Sequence, residues 1–355
     1  MKHYLLVLCV LICSAARAAD SDFFTIVVLP DTQYYTEVQW KTDQYFRAQT
    51  QWIVDHQKEE NIVFVSQVGD LQQDGTYLRT DEHQFDDTIK DRIQASKENP
   101  NNPPQNDVQW QRASACMKIL DDADIPLCAV AGNHDYEHWD KIAWPIKYLA
   151  YFGPQRYWRK KWFGGYSPGG KVSPPGMDMF QYFQDGGTKL LSIGLQFAPG
   201  EEDFTWAQKI IEQNPGVPTI VSTHDYQNTH KRDPNGEAIW NGLVKQNPQI
   251  FMVLSGHING AHRQISTDDS GQPVYELLSD YQDFECSKKT GYDQDYAHGG
   301  GFLRLMRFYP AENRIDVKTY SPVIKKYMTD DANQFSIDCN FNDRFSSHAT
   351  TQPAR

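Results

Sequence analysis

Side chains of types that bind divalent metal ions occur in five short segments of this 355-residue chain. The segments are Asp31-Thr32-Gln33, Gly69-Asp70, Gly132-Asn133-His134-Asp135, Thr223-His224 and Gly256-His257-Ile258-Asn259. Four of the five directly follow a run of β-branched and apolar residues, so their polar atoms should emerge at strand ends. Open α/β sheets bind their ligands at the carboxyl ends of strands. Each segment alone is typical of an ordinary turn, but the ordered set predicts a metal-binding active site.

A centre that hydrolyses phosphate esters with two divalent ions needs a bridging carboxylate, several fixed oxygen and nitrogen ligands and an open position for water. Asp70 suits the bridge because it follows an apolar strand and a glycine at a tight turn. Asp31 reaches the same edge in the same way. Asn133 offers a neutral carbonyl oxygen, and His224 and His257 offer imidazoles from two later strand ends.

His134 is the candidate for proton transfer. It is adjacent to Asn133 and should therefore point in a different direction. A histidine beside the metals but not bound to them can hydrogen-bond the phosphate or protonate the leaving oxygen. A carboxylate would then orient its second nitrogen. Asp74, four residues after Asp70, is the nearest candidate along the sequence, and Asp135 is the alternative.

The elements that must position these residues alternate between strand and helix in the first half of the chain. Strands are predicted at 24–29, 61–67 and 127–131, and helices at 42–60 and 108–122. This order predicts a mostly parallel sheet with covering helices. Further strands are predicted at 189–197, 219–222, 250–254, 274–278, 302–308 and 314–320, with helices at 205–213 and 237–246. These later strands lie close together and suggest a second, largely antiparallel sheet.

The motif order D-x-Q, GD, GNHD, H and GH-x-N resembles the calcineurin-like metallophosphoesterase superfamily, in its secreted D-x-Q branch. The resemblance runs from Phe24 to about Tyr320. It implies an α/β fold, a four-layer α-β-β-α sandwich in which two mixed sheets are flanked by helices. It also implies one metal held by Asp31, Gln33, Asp70 and Asn259, and a second held by Asp70, Asn133, His224 and His257. His134 matches the family's catalytic histidine.

Two positions depart from the common family pattern, which has histidine where this chain has Gln33 and Asn259. Both changes fall on the first metal site and replace an imidazole nitrogen with an amide oxygen. We therefore expect two divalent ions, drawn from Mn, Zn, Fe, Mg or Ca, with the first site favouring Mn²⁺, Mg²⁺ or Ca²⁺ over Zn²⁺. The amides can instead brace other ligands. His262, three residues past Asn259, is an alternative ligand.

Three functional hypotheses follow from these residues. The leading one is an exported metal-dependent phosphoesterase that hydrolyses phosphate mono- or diesters, with hydroxide held by the metal pair attacking phosphorus. The second is a nuclease or nucleotide hydrolase of the same superfamily. The third is a surface-binding module that keeps the scaffold but has little catalysis, which the two histidine replacements favour. The expected partner is a small phosphorylated substrate or a nucleotide.

Residues 1–18 have the pattern of a cleavable export signal. An apolar run too short to span a bilayer follows a basic start, and Ala16-Arg17-Ala18 fits the cleavage rule. We expect a secreted or periplasmic protein without a membrane span. The phosphoesterase domain is assigned to 19–345, and the polar tail at 346–355 is expected to be disordered.

The charge of the chain bears on its partners. The formal net charge is −12, and removing residues 1–18 changes it to −14 because Lys2 and Arg17 are lost. An acidic surface argues against binding long nucleic acids. It does not exclude phosphorylated small molecules, since bound cations reverse the local field.

Two further features leave alternatives open. Cys286 and Cys339 are the favoured disulfide pair in an oxidising compartment, whereas Cys116 and Cys128 are equally well explained as buried thiols. The basic and aromatic segment 156–163 is either a substrate wall, with cations meeting phosphate, or a folded loop whose rings cover the edge of the sandwich.

Overall fold

The computed structural model describes most of the chain from residue 23 onward. The described ranges are 23–37, 42–73, 105–136, 145–171, 173–185, 188–282 and 298–345. The predicted export signal, the predicted tail, Asp74 and Cys286 lie outside them. What was inferred about those four from the sequence stays a prediction.

Fourteen strands in the described ranges form two sheets of seven strands each. They are β1 Phe24–Leu29, β2 Ile62–Gln67, β3 Leu127–Ala129, β4 Phe163–Tyr166, β5 Met179–Asp185, β6 Thr188–Gly194, β7 Thr219–Ser222, β8 Ile250–Ser255, β9 Gly260–Thr267, β10 Pro273–Asp280, β11 Leu303–Tyr309, β12 Arg314–Ser321, β13 Lys326–Met328 and β14 Gln334–Asp338. The continuous apolar runs of β1 and β8 are buried along their whole length, as expected for strands covered on both faces.

Seven α-helices lie in the same ranges. They are α1 Gln33–Thr36, α2 Asp43–His56, α3 Gln105–Asp122, α4 Ile146–Phe152, α5 Glu201–Gln213, α6 Pro234–Ile239 and α7 Phe341–Phe345. At the start of α6, the Asp233 carboxylate accepts a hydrogen bond from the N–H of Gly236 at 2.8 Å, and Pro234 takes the first helical position. None of the helices described here is long and apolar enough to cross a lipid bilayer.

Both sheets are mixed. The first has the strand order β13-β12-β11-β1-β2-β3, with β14 paired to β12. Its strands β1, β2 and β3 are parallel, and β11 runs antiparallel to β1. The second has the order β4-β5-β6-β7-β8-β10-β9, with a parallel centre from β6 to β10 and antiparallel pairs at both edges.

Three apolar clusters fill the space between four layers. One lies between the sheets and includes Phe64 of β2 and Phe183 of β5, whose rings stack with their centroids 4.3 Å apart. Another packs α2, α3 and α4 against the outer face of the first sheet. The third packs α5 and α6 against the outer face of the second. The layer order is helix, sheet, sheet, helix, and the predicted fold class is confirmed.

The prediction of a largely antiparallel second sheet is wrong. Strands β11 and β12 come late in the chain, yet they extend the first sheet beside β1, and the centre of the second sheet is parallel. Short connections indicate that consecutive strands are neighbours, but they do not show which sheet the pair joins. Edge strand β9 was not predicted because its residues alternate between half-buried and exposed without an apolar run.

The basic and aromatic segment 156–163 packs against the end of α3. Arg156 forms an ion pair with Asp121 at 2.6 Å, and Lys160 forms one with Asp124 at 2.9 Å. Two of the aromatic rings in the segment are buried in the helix-facing cluster. Because these cations are paired within the fold, the structure favours a folded covering loop over a substrate wall.

The cysteines in the described ranges are buried free thiols. They are Cys116 on α3, Cys128 on β3 and Cys339 after β14. Burial raises the pKa of Cys116 and of Cys128 to about 12, so both are unreactive packing residues. The predicted partner of Cys339 is Cys286, which lies outside the described ranges.

Candidate metal centre

Side chains from both sheets converge at one edge of the sandwich. Asp70 follows β2 of the first sheet, whereas His224 and His257 follow β7 and β8 of the second. One ligand atom from each of the three lies within 4.8 Å of the other two. Nε2 of His224 is 3.1 Å from Oδ2 of Asp70 and 3.1 Å from Oδ1 of Asn133, which follows β3. The four side chains predicted for the second metal site therefore lie together.

The turn that carries Asp70 has an unusual backbone. Gly69 has a φ of 97° and Asp70 a φ of 50°, so both lie in the left-handed region. A Cβ on Gly69 would lie 2.5 Å from Nδ1 of His224, which only glycine avoids. His257 also has a positive φ, of 70°. Such backbone strain gathers at functional sites, where neighbouring contacts hold it in place.

The two imidazoles are fixed by their surroundings. Nδ1 of His224 is 2.8 Å from the backbone carbonyl oxygen of Val68. A carbonyl only accepts, so Nδ1 carries the proton and Nε2 presents its lone pair to the cluster when the ring is neutral. The ring of His257 lies 4.9 Å from that of His224, and Phe197 packs against both rings.

Charge is unevenly distributed over this cluster. Burial opposes ionisation of Asp70, but His224 and His134 outweigh it and lower the pKa of this carboxyl to about 2. Burial also disfavours a charged His224, yet the Asp70 carboxylate raises the pKa of this imidazole to about 9. Burial and then repulsion from His224 lower the pKa of His257 to about 4. Metal binding at His224 must therefore displace a proton.

Asp31 and Gln33 lie beside this cluster because the ends of β1 and β2 are joined. The N–H of Thr32 donates to the carbonyl oxygen of Asp70 at 3.2 Å. Oδ1 of Asp31 accepts from the N–H of Gln33 at 3.1 Å. Within the described ranges, Oδ2 of Asp31 and Oε1 of Gln33 are buried and have no hydrogen-bond partner. Burial and then the charge of Asp70 raise the pKa of Asp31 well above its usual range.

These donor atoms fit divalent cations. Buried oxygens are normally paired, and a group of unpaired ones beside a buried carboxylate costs free energy unless a cation satisfies them. Hard divalent ions prefer carboxylate and amide oxygens. Asp31, Gln33 and Asp70 supply such a set, and Asn133, His224 and His257 supply a mixed oxygen and nitrogen set.

His134 is held at the rim of the cluster by three contacts. Its backbone N–H donates to Oδ1 of Asp70 at 2.9 Å, and its backbone carbonyl accepts from the side chain of Gln72. Its Nδ1 contacts the backbone carbonyl of Gln73. That carbonyl orients the ring where the sequence predicted a carboxylate, and Asp74, the predicted partner, lies outside the described ranges.

Asp135 does not orient His134. Its carboxylate accepts hydrogen bonds from the N–H of Gly132 at 2.9 Å and from the N–H of Leu71 at 3.0 Å. It therefore fastens the loop after β3 to the loop after β2. This is a structural role that keeps Asn133 and Asp70 in register.

Asn259 and His262 form no hydrogen bond with these residues in the described ranges. Asn259 is exposed in the turn before β9, and in the described ranges no hydrogen bond joins it to the other predicted ligands. His262 lies on β9 opposite Leu278, with its imidazole near His230. Asn259 as a metal ligand stays a prediction.

Sequence reasoning missed Asp280 at this edge. It is the last residue of β10 and is fully buried. The sequence prediction ended the strand at Leu278. The sequence did contain a signal for this residue. Asp280 follows a largely apolar stretch at 274–278, as Asp31 and Asp70 follow theirs.

Gly132 provides a test of how tightly the loops pack. A Cβ there would overlap the carboxylate of Asp70, although the φ of −89° suits any residue. Gly132→Ala is therefore expected to lower the free energy of unfolding by about 1–3 kcal/mol and to weaken metal binding. Thermal unfolding with and without Mn²⁺ measures both. Gly200→Ala is the control, because no atom lies within 4 Å of its Cβ position and only a helix start is affected, by about 1 kcal/mol at most. An equal loss of stability and of metal binding in Gly132→Ala and Gly200→Ala would contradict the expectation.

Comparison with known proteins gives the family. The calcineurin-like phosphoesterase family matches residues 24–260. The chain is 30% identical over 343 residues to the uncharacterized protein YvnB of Bacillus subtilis (strain 168), covering 94% of this chain but 22% of YvnB. A dimetal phosphatase from Danio rerio is similar with a TM-score of 0.47 at 12% identity, covering 89% of this chain and 98% of that one. The calcineurin-like phosphoesterase YfkN from Bacillus subtilis is similar with a TM-score of 0.37 at 11% identity, covering 89% of this chain and 88% of YfkN. On the match over residues 24–260, this chain belongs to the calcineurin-like phosphoesterase family.

Proposed function

We propose that this protein hydrolyses small phosphate mono- or diesters with two divalent metal ions. The observation that supports this most is that Asp70 contacts both sets of donors. Its Oδ2 lies 3.1 Å from Nε2 of His224, in the set with Asn133 and His257, and its backbone carbonyl accepts the N–H of Thr32, which stands between Asp31 and Gln33. A buried carboxylate between two donor sets is what a two-metal phosphoesterase centre requires.

In the proposed reaction, the donor cluster binds the metal ions and His134 provides a proton. Divalent ions held by these donors would stabilise negative charge on the phosphoryl oxygens and would lower the pKa of bound water. His134 stands beside Asp70, with Nδ1 held by a backbone carbonyl. Nε2 is then the nitrogen whose protonation changes. We propose that it gives its proton to the leaving oxygen.

The two sites should prefer different ions. His224 and His257 give the second site nitrogen ligands, which suit Zn²⁺, Fe²⁺ or Mn²⁺. Asp31 and Gln33 give the first site oxygen ligands, which suit Mn²⁺, Mg²⁺ or Ca²⁺. Two tightly held zinc ions, found by mass spectrometry of the purified protein, would contradict this assignment.

The function can be tested by removing and restoring metal. Chelator-treated protein is expected to lose hydrolysis of aryl phosphate mono- and diesters and to regain it with Mn²⁺. The reason is that the clustered oxygen and nitrogen donors serve as ligands of a cation on which the reaction depends. Initial rates across a divalent-ion series measure this. Hydrolysis that persists without metal would contradict the proposal. Turnover of nucleotides alone would favour the nucleotide hydrolase, and bound metal without turnover on the whole panel would favour a binding module.

A further inference from the structure

Asp280 ends β10, which pairs with the strand that precedes the metal-site residue His257. In the parallel pair of β8 and β10, Leu278 lies opposite Ser255. Two residues beyond this pair are Asp280, the last residue of β10, and His257, in the turn that follows β8. Both strands therefore deliver a potential ligand to the same edge of the second sheet.

One glycine turn connects the end of β10 to α1, which carries Gln33. The turn is His298–Gly301, with a φ of 76° at Gly299. A Cβ on Gly299 would overlap the carbonyl of Tyr281, the residue after Asp280. At the other end of the turn, the N–H of Gly301 donates to the hydroxyl of Tyr35 on α1 at 3.0 Å. The turn therefore packs against both the residue that follows β10 and the helix that follows β1.

Asp280 is a buried carboxylate that forms no ion pair in the described part of the chain. It is fully buried, and within the described ranges its hydrogen bonds come from Gln282 alone, from the backbone N–H at 3.2 Å and from the side-chain amide at 3.5 Å. No lysine or arginine of the described ranges pairs with it. A buried carboxylate in that position is costly unless a cation compensates it.

The electrostatics agree with this placement. After burial and the charge of Asp70, the charge of Asp280 is the next contribution that raises the pKa of Asp31. Burial raises the pKa of Asp280 to about 7; the hydrogen bonds from Gln282 and the charge of His224 oppose this shift, and the charge of Asp70 reinforces it. Three buried carboxylates thus repel one another at the place where Oδ2 of Asp31 and Oε1 of Gln33 have no hydrogen-bond partner among the described residues.

We propose that Asp280 is a carboxylate ligand of the first metal site, at the position that the family pattern gives to Asn259. The first site then consists of Asp31, Gln33, Asp70 and Asp280, an all-oxygen set with three carboxylates. Such a set selects hard ions and holds them more strongly than neutral amides do. The inference rests on the proposed two-metal centre.

Metal counting tests the proposal without any substrate. The variants are Asp280→Asn, which keeps the shape and removes the charge, and Asn259→Ala as the matched control. Titration calorimetry with Mn²⁺ and mass spectrometry of the dialysed proteins give affinity and stoichiometry. We expect two ions in the unmodified protein and in Asn259→Ala. We expect one in Asp280→Asn, with first-site affinity lowered by at least about 100-fold, since even the loss of a residue that only supports a ligand costs 10–100-fold.

The other outcomes are equally informative. Two ions bound to Asp280→Asn with unchanged affinity would overturn the proposal, as would loss of an ion from Asn259→Ala alone. If Asp280→Asn does not fold, Asp280→Glu decides: first-site affinity weakened by the longer side chain supports the role, and unchanged affinity overturns it. An unmodified protein that binds two ions but hydrolyses nothing would contradict the proposed function and leave this inference standing.

Discussion

Asp70→Asn is expected to lower kcat/KM for aryl phosphate hydrolysis by about a thousandfold or more, with the fold intact. Asp70 is the proposed ligand of both metal sites, so losing its charge should weaken both at once. Metal ions supply several kcal/mol of charge stabilisation, and about 4 kcal/mol corresponds to roughly a thousandfold in rate. Asparagine keeps an oxygen that can accept the N–H of His134, which Oδ1 now accepts at 2.9 Å.

A surface carboxylate serves as the control for this variant. Asp122→Asn also removes one negative charge, but Asp122 is 64% exposed and its neighbour is Lys118 on α3. Its activity is expected to stay within about twofold, since exposed ion pairs contribute little. Circular dichroism and thermal unfolding confirm that both variants fold. Full activity in Asp70→Asn would refute the proposed function.

His134→Ala is expected to lower kcat by about 10²–10⁴-fold on alkyl phosphate esters, the range for general acid catalysis. The loss should be much smaller, about tenfold, on esters whose leaving group is an acidic phenol, because such a group departs without a proton. Metal content should not change, because the ring lies beside the metal ligands and its backbone N–H to Asp70 remains.

The control here is His262→Ala, which removes an imidazole on β9 that is not among the clustered donors. Its activity and metal content are expected to be unchanged. Steady-state kinetics on a series of esters with graded leaving-group pKa values distinguishes the roles. Equal losses for good and poor leaving groups would argue against proton donation by His134, and loss of metal would make it a ligand instead.

Strand ends were the part of this fold that could be predicted best from sequence. The runs at 24–29 and 62–65 are rich in apolar and β-branched residues, so burial on both faces follows from their composition. The partner of each strand could not be predicted in the same way. β11 joins β1 across more than 270 residues of chain, and only packing between the sheets decides that pairing.

The site was predictable where ligand type and strand end coincide. Asp70, His224 and His257 are brought together as the motif order indicated. Local motifs could not show that Asn259 is exposed or that Asp280 is buried, since both depend on how β9 pairs with β10. They also could not show that the carbonyls of Val68 and Gln73 orient the two histidines, because any residue supplies a carbonyl.

The stack of Phe64 on Phe183 lies between the two sheets, and the donors of the centre come from both. Asp31, Asp70 and Asn133 follow strands of the first sheet, whereas His224 and His257 follow strands of the second. The separation of the sheets therefore sets the separation of the donors. Because protein interiors are close-packed, a change in ring volume in this layer shifts one sheet against the other. Selection for substrate or metal preference can thus act on apolar residues that never touch either.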